Sequence, residues 1–121
     1  MANTFKTVTF AAEPASAGTA YKMYTCPSST TTVVLGLVLA NIHTTAVTAE
    51  VELVSDTANR GGANNVANGT SFLVKDVNIP TGSSLEILSG GKVVLEAGDK
   101  IQVDCSVADK LSGTLSIMEI T

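Results

Sequence analysis

The side chains that most often carry enzyme chemistry are few in this chain and far apart. The only histidine is His43, and the two cysteines are Cys26 and Cys105. A general base or a nucleophile needs a partner group within hydrogen-bond reach, and zinc sites use closely spaced Cys and His ligands. The three residues are spread over the chain at none of the close spacings that zinc sites use. We therefore expect His43 to be a surface turn residue, and we predict no catalytic residue and no zinc site.

The acidic and glycine-rich segments offer equally little to a metal ion or a cofactor. Asp99, Asp104 and Asp109 lie in one stretch, but their spacing is not the Asp-x-Asp-x-Asp-Gly pattern of a calcium loop. Gly90-Gly91-Lys92 lacks the first glycine and the helix that a phosphate-binding loop requires. The sequence predicts no bound metal, no cofactor and no enzymatic activity.

Composition limits the classes of protein to which the chain can belong. Of its 121 residues, 45% are hydrophobic and 15% are charged, which is too apolar for a disordered chain. This length suits one core, so we predict a single domain over residues 1–121. The net charge is −4 and the basic residues are scattered. The chain therefore has no basic patch for nucleic acid, and we predict no nucleic-acid partner.

The chain also lacks the patterns of secretion and membrane insertion. Its start, Met1-Ala2-Asn3-Thr4-Phe5-Lys6, is not a basic segment followed by an apolar one, so we expect synthesis in a cytoplasm. The most apolar run, from Val33 to Ile42, covers about half the length of a membrane-spanning helix. We therefore predict no membrane association. Two reduced thiols are favoured over one disulfide between Cys26 and Cys105.

The elements that must position all these residues are predicted to be strands. Apolar residues recur with a period near two, and Thr, Val and Ile are concentrated in the apolar segments. No window has the spacing and caps of a helix. The fold class is therefore all-β, a single antiparallel β-sandwich or jelly-roll-like barrel of about eight to nine short strands. The predicted strands cover residues 4–9, 20–25, 32–42, 47–53, 71–75, 84–88, 92–95, 100–107 and 113–120.

The predicted strand over residues 32–42 is apolar on both of its alternating sides. Val33, Leu35, Leu37 and Leu39 form one side, and Val34, Val38, Ala40 and Ile42 form the other. An antiparallel strand with one solvated face alternates apolar and polar residues. Two explanations stay open: a loop of the same chain covers the second side, or another subunit does.

Residues 55–69 read as a long exposed loop rich in Asn and Gly, which tolerate left-handed backbone. The loop holds the only arginine, Arg60. Loops of this length in a small domain often make contacts, and a plain solvent loop is the alternative. A calcium site from Asp56, Asn59 and Asn64 is a third and weaker interpretation.

Several turn-and-strand segments resemble a family of small virion proteins of tailed bacteriophages, especially those infecting cyanobacteria and other marine bacteria. The resemblance covers residues 20–121. It lies in Ile-Pro-x-Gly-Ser-Ser-Leu at Ile79–Leu85, in Leu-Glu-x-Gly-Asp-x-Ile at Leu95–Ile101, and in the final Glu119-Ile120. The segment from Thr31 to Leu53 also resembles the family's first core hairpin.

The resemblance implies a structural component of the phage particle, assembled in the host cytoplasm in many copies. The leading hypothesis is a capsid-associated decoration protein with phage capsid or other virion proteins, or sister copies in a homo-oligomer, as partners. Its interface would include Val33, Leu35 and Leu37, or Val34, Val38 and Ile42, with Arg60 as a further contact. A neck or tail component is the nearest alternative. A receptor- or carbohydrate-binding module using loop 55–69 ranks lower because the chain has no Trp and few aromatic rings.

Overall fold

The computed structural model describes residues 2–55, 69–88 and 91–121, and within them the chain is all-β, as predicted. The described residues form nine strands and no helix. In chain order, the strands are β1 Asn3–Glu13, β2 Tyr21–Thr25, β3 Thr31–Asn41, β4 Val47–Val54, β5 Thr70–Ile79, β6 Ser84–Glu86, β7 Val93–Leu95, β8 Lys100–Cys105 and β9 Leu111–Ile120. No described segment is a helix that could cross a membrane.

The strands form two antiparallel sheets with the strand order of a jelly roll. One sheet has the order β1-β9-β3-β6, with β7 also paired to β3, and the other has the order β2-β8-β4-β5. Strands from the two halves of the chain pair in turn, β1 with β9, β2 with β8, β3 with β6 and β7, and β4 with β5. The chain is thus one long hairpin rolled into two sheets, and residues 55–69 connect its innermost strands.

The core lies between the sheets, because inward positions alternate with outward ones along each strand. In β8, Ile101, Val103 and Cys105 are buried and the residues between them are not. β4 alternates in the same way, as the sequence predicted. The inward rows of both sheets meet in one apolar cluster. Such burial is the main favourable term in folding.

One inward position has room only for glycine, because an aromatic ring occupies the space beside it. Gly113 on β9 lies opposite Phe10 on β1, and a Cβ atom built at Gly113 would meet the Phe10 ring closer than any real contact allows. The Phe10 ring therefore covers the space left by the missing side chain. The Phe10 ring also packs against Tyr21 of the second sheet, edge to face, with ring centroids 5.2 Å apart.

The strict alternation predicted for β3 is wrong, because a β-bulge lies within the strand. Pairing with β9 runs from Val34 opposite Ile117 to Gly36 opposite Ser116, so Leu35 is the extra residue. A bulge of one residue reverses which face the later side chains occupy. Val34 and Leu37, each 1% exposed, therefore both lie in the core, although sequence alternation places them on opposite sides.

Candidate interaction surface

A straight apolar row crosses the outward face of the five-stranded sheet. Phe5 on β1 lies opposite Met118 on β9, Met118 lies opposite Val33 on β3, and Val33 lies opposite Val94 on β7. Directly opposed residues point to the same face of a sheet. Phe5 is 71% exposed and Val94 is 57% exposed. We call these four residues the apolar row.

The outward face around the apolar row carries no charge on its three long strands. The outward residues of β1, β9 and β3 are identified by their register, because each lies beside the outward residues of its neighbour. Those other than the apolar row are Asn3, Thr7, Thr9, Ser112, Thr114, Ser116, Ile120, Thr31, Leu35, Gly36, Val38 and Ala40. Glu86 on the short strand β6, opposite Val38, is a charged residue at the margin of this face.

The four-stranded sheet has a charged outward face. The matching row there runs from Phe72 on β5 through Glu52 on β4 and Gln102 on β8 to Lys22 on β2. Gln102 Nε2 donates a hydrogen bond to Glu52 Oε2 at 3.4 Å. Lys75 Nζ lies 4.8 Å from the centroid of the Phe72 ring, where a cation is attracted to the π face. Phe72 is thus partly covered by its own sheet.

At one end of the sandwich, a polar cluster connects the two sheets. Glu119 on β9 forms an ion pair with Lys6 on β1, and Lys6 Nζ lies 2.7 Å from Glu119 Oε1. Tyr24 on β2, in the other sheet, donates a hydrogen bond to Glu119 Oε2 at 2.5 Å. Tyr24 Oη also lies 2.8 Å from Thr32 Oγ1 on β3. Each polar group therefore has a partner, which a buried carboxylate requires.

Electrostatics in this cluster keep the carboxylate ionised. The hydrogen bond from Lys6, followed by the one from Tyr24, holds the pKa of Glu119 below its usual range. Burial and the acceptor Glu119 raise the pKa of Tyr24 well above its ordinary value. The tyrosine therefore stays protonated and the glutamate charged at neutral pH. This arrangement stabilises the end of the sandwich.

The three residues considered above as candidates for catalysis or metal binding, His43, Cys26 and Cys105, make structural contacts. The His43 amide donates to Asn41 Oδ1 at 2.7 Å, and its carbonyl accepts a hydrogen bond from Thr81 Oγ1 at 2.7 Å, so the backbone of His43 is part of a hydrogen-bonded turn after β3. Cys26 and Cys105 are both buried and not disulfide-bonded. Burial raises the pKa of both thiols, which lowers their reactivity. Over the described ranges, no group of three or more His, Cys, Asp or Glu residues could hold a metal ion.

The predicted interface residues fall into three groups. Val33, Leu35, Val38 and Ile42 are partly or largely exposed, the first three on the outward side of β3 and Ile42 directly after it. Val34 and Leu37 are in the core, so assigning them to an interface was wrong. Arg60, like Asp56, Asn59 and Asn64, lies outside the described residues.

The apolar row contains three residues that the sequence analysis did not select. Phe5, Met118 and Val94 belong to β1, β9 and β7, three strands that are far apart in the sequence. Only the register brings them beside Val33. A usable signal existed at Phe5, where a large aromatic residue is flanked by Thr4, Lys6 and Thr7 with no apolar neighbour in sequence.

Comparisons with known proteins leave the assignment open. The sequence matches no protein-family model and no curated protein. One solved structure aligns with 99% of this chain and 87% of its own, with 17% sequence identity and a TM-score of 0.47. It comes from the work described as "Bacillus endospore appendages form a novel family of disulfide-linked pili". A likeness this distant supports no statement about function.

Proposed function

We propose that this chain is a non-enzymatic structural protein of a bacteriophage particle, most specifically a capsid-associated decoration protein assembled in the host cytoplasm. The observation that carries the proposal is the apolar row on a sheet face whose three long strands have no charged outward residue. The resemblance of Ile79–Leu85 and Leu95–Ile101 to virion proteins supplies the phage context.

The physical reason is that exposed apolar surface gains free energy when it is covered. Burial contributes about 25 cal/mol per Å² of apolar surface. Phe5 and Val94, at the two ends of the row, are still mostly exposed in the single chain. Contiguous apolar surface with a polar rim is typical of a protein interaction site. The row, rimmed by Thr and Ser hydroxyls, has this composition.

The non-enzymatic part of the proposal is supported by the contacts of His43 and the two cysteines. The backbone of His43 serves a turn, and both thiols lie within the core. Catalytic groups must reach a substrate, and neither cysteine side chain is accessible to one. If His43→Ala abolished an activity of the purified protein, this part of the proposal would fail.

A position in the neck or tail of the particle is the nearest alternative, because the same sheet face could bind a neighbouring protein there. The copy number per particle separates the two, since assemblies follow the symmetry of their location. Hundreds of copies would support the capsid, and a multiple of six or twelve would support the neck or tail. Quantitative mass spectrometry of purified particles gives this number.

The direct test is the binding of purified protein to phage particles that lack it. We expect the wild-type chain to co-sediment with such particles and Val94→Asp to bind at least tenfold more weakly, because a charge enters the apolar row. Thr25→Asp is the matched control, since Thr25 is similar in size to Val94, is exposed, and lies on the outward face of the other sheet. Failure of the wild-type chain to bind, or equal losses in both variants, would contradict the proposal.

A further inference from the structure

The outward face of the five-stranded sheet combines a protruding ring with a hollow beside it. Phe5 projects from β1 and is largely exposed. Its ring forms one wall of a shallow hollow of about 210 Å³, which is also lined by Lys6, Thr7, Leu35, Ser116 and Ile117. The hollow lies at the bulge of β3, where Leu35 is the unpaired residue. A projection and a depression thus lie on one face, a short distance apart.

We infer that the partner covering this face is a second copy of this chain, related by a two-fold axis. The inference rests on the proposed function, which makes this face the docking surface, and it names the occupant. A two-fold axis brings the same patch of both subunits together. Phe5 of each copy then occupies the hollow of the other. Aromatic residues that fill a well-packed pocket are among those that contribute most to binding energy.

The distribution of charge permits a second copy on this face. Each chain has a net charge of −4, so two copies repel unless their charged surfaces stay apart. The outward residues of β1, β9 and β3 are uncharged, whereas Glu50, Glu52 and Asp104 lie on the opposite face of the sandwich. Joining two copies through the uncharged face places those carboxylates at maximum separation. It also leaves no unpaired charge in the centre of the contact.

The size of the face agrees with a reversible dimer. Ten residues of β9 span about 33 Å and four neighbouring strands about 19 Å, which gives a face of about 600 Å² per copy. Two such faces bury about 1,200 Å² in total, at the lower limit of stable specific interfaces. We therefore expect a dimer that dissociates on dilution.

The face of the four-stranded sheet is a poorer candidate for the same role. Its exposed ring, Phe72, already has Lys75 over it, and Lys75 also pairs with Glu50 at 3.0 Å. Covering this face would remove water from these charges at a cost in free energy. Phe72 therefore provides a control that is matched to Phe5 in residue type.

The test is sedimentation equilibrium of the full chain, with Phe5→Asp compared with Phe72→Asp. We expect the wild-type chain to dimerise reversibly, Phe5→Asp to raise the dissociation constant at least tenfold, and Phe72→Asp to leave it within about twofold. Thermal unfolding of each variant checks that the sandwich is intact. A wild-type chain that stays monomeric, or two variants with the same loss, would overturn the inference.

A second measurement identifies the contact itself. A photo-crosslinking benzoylphenylalanine in place of Phe5 should join two copies, and the joined peptides should contain Thr7, Leu35 or Ser116. Joined peptides from β4 or β8 would overturn the two-fold arrangement. These outcomes are separate from particle binding: a monomer that still binds particles refutes the dimer only, and a dimer that never binds them refutes the virion role only.

Discussion

Phe5 and Phe72 occupy comparable places at the ends of two cross-strand rows, and the rows differ in every other member. The row from Phe5 continues through Met118 and Val33. The row from Phe72 continues through Glu52 and Gln102 to a lysine. Both rows lie on the solvent side of a sheet whose inner side packs into the same core.

The difference shows that the fold does not require an apolar outward face. A jelly roll buries the inner faces of its sheets, and a solvated outer face is usually polar. The four-stranded sheet follows this rule, while the five-stranded sheet departs from it at the apolar row. The departure adds nothing to the core, and it is the reason that the proposed function places a partner on this face.

The largest expected loss of stability comes from a substitution on the inward face of β3. Leu37→Ala should lower the free energy of unfolding by about 2–5 kcal/mol, because it leaves a cavity in the core. Val38→Ala, one residue later on the outward face, should cost about 0.5 kcal/mol or less when measured in the monomeric Phe5→Asp background. Urea unfolding measures both values. Equal losses would mean that the bulge at Leu35 does not set the two faces.

An intermediate effect is expected at Gly113, which has no room for a side chain. Gly113→Ala should cost about 1–3 kcal/mol, because the added Cβ collides with the Phe10 ring. Gly36→Ala is the control, since nothing lies within 4 Å of a Cβ there. Phe10→Leu should recover part of the loss when combined with Gly113→Ala. An alanine at position 113 that costs no more than the control at position 36 would show that Phe10 does not fill that space.

The smallest effect concerns pH and the polar cluster that joins the sheets. The folded pKa of Glu119 lies below its ordinary value of 4.5, so its contribution to stability is present above about pH 4.5 and is lost as the pH falls through the folded pKa. The wild-type protein should therefore have a higher thermal midpoint than Glu119→Gln at pH 7. The difference between the two midpoints should become smaller as the pH falls. Lys6→Gln should reduce the difference, because it removes the largest cause of the shift. Thermal unfolding of both proteins from pH 7 to pH 3 measures this difference. A difference in thermal midpoint that does not change with pH would contradict this account.

The local pattern of the sequence predicted most of the strands, because each strand buries one face and shows it as alternation. β4 and β8 are the clearest examples. The bulge at Leu35 could not be predicted, because every residue around it is apolar and a shift in register leaves the pattern unchanged. The order of the strands in the sheets could not be predicted either, because β1 pairs with β9, which lies at the other end of the sequence.

The candidate site was only partly predictable for the same reason. Val33, Leu35 and Val38 were identified because β3 is apolar throughout. Phe5, Met118 and Val94 were missed because they belong to three strands that are far apart in the sequence, and only long-range pairing places them in a row. The absence of charge on this face follows from three strands together, and no single segment shows it.

The most direct test of the central claim is a reconstruction of the assembled particle in which this chain is resolved. We predict that the outward face of β1, β9, β3 and β7 lies against protein, either a sister copy or another virion component. The face bearing Glu52 and Lys22 should then be exposed to solvent. A map in which the apolar row faces solvent while the charged face makes the contacts would contradict the account.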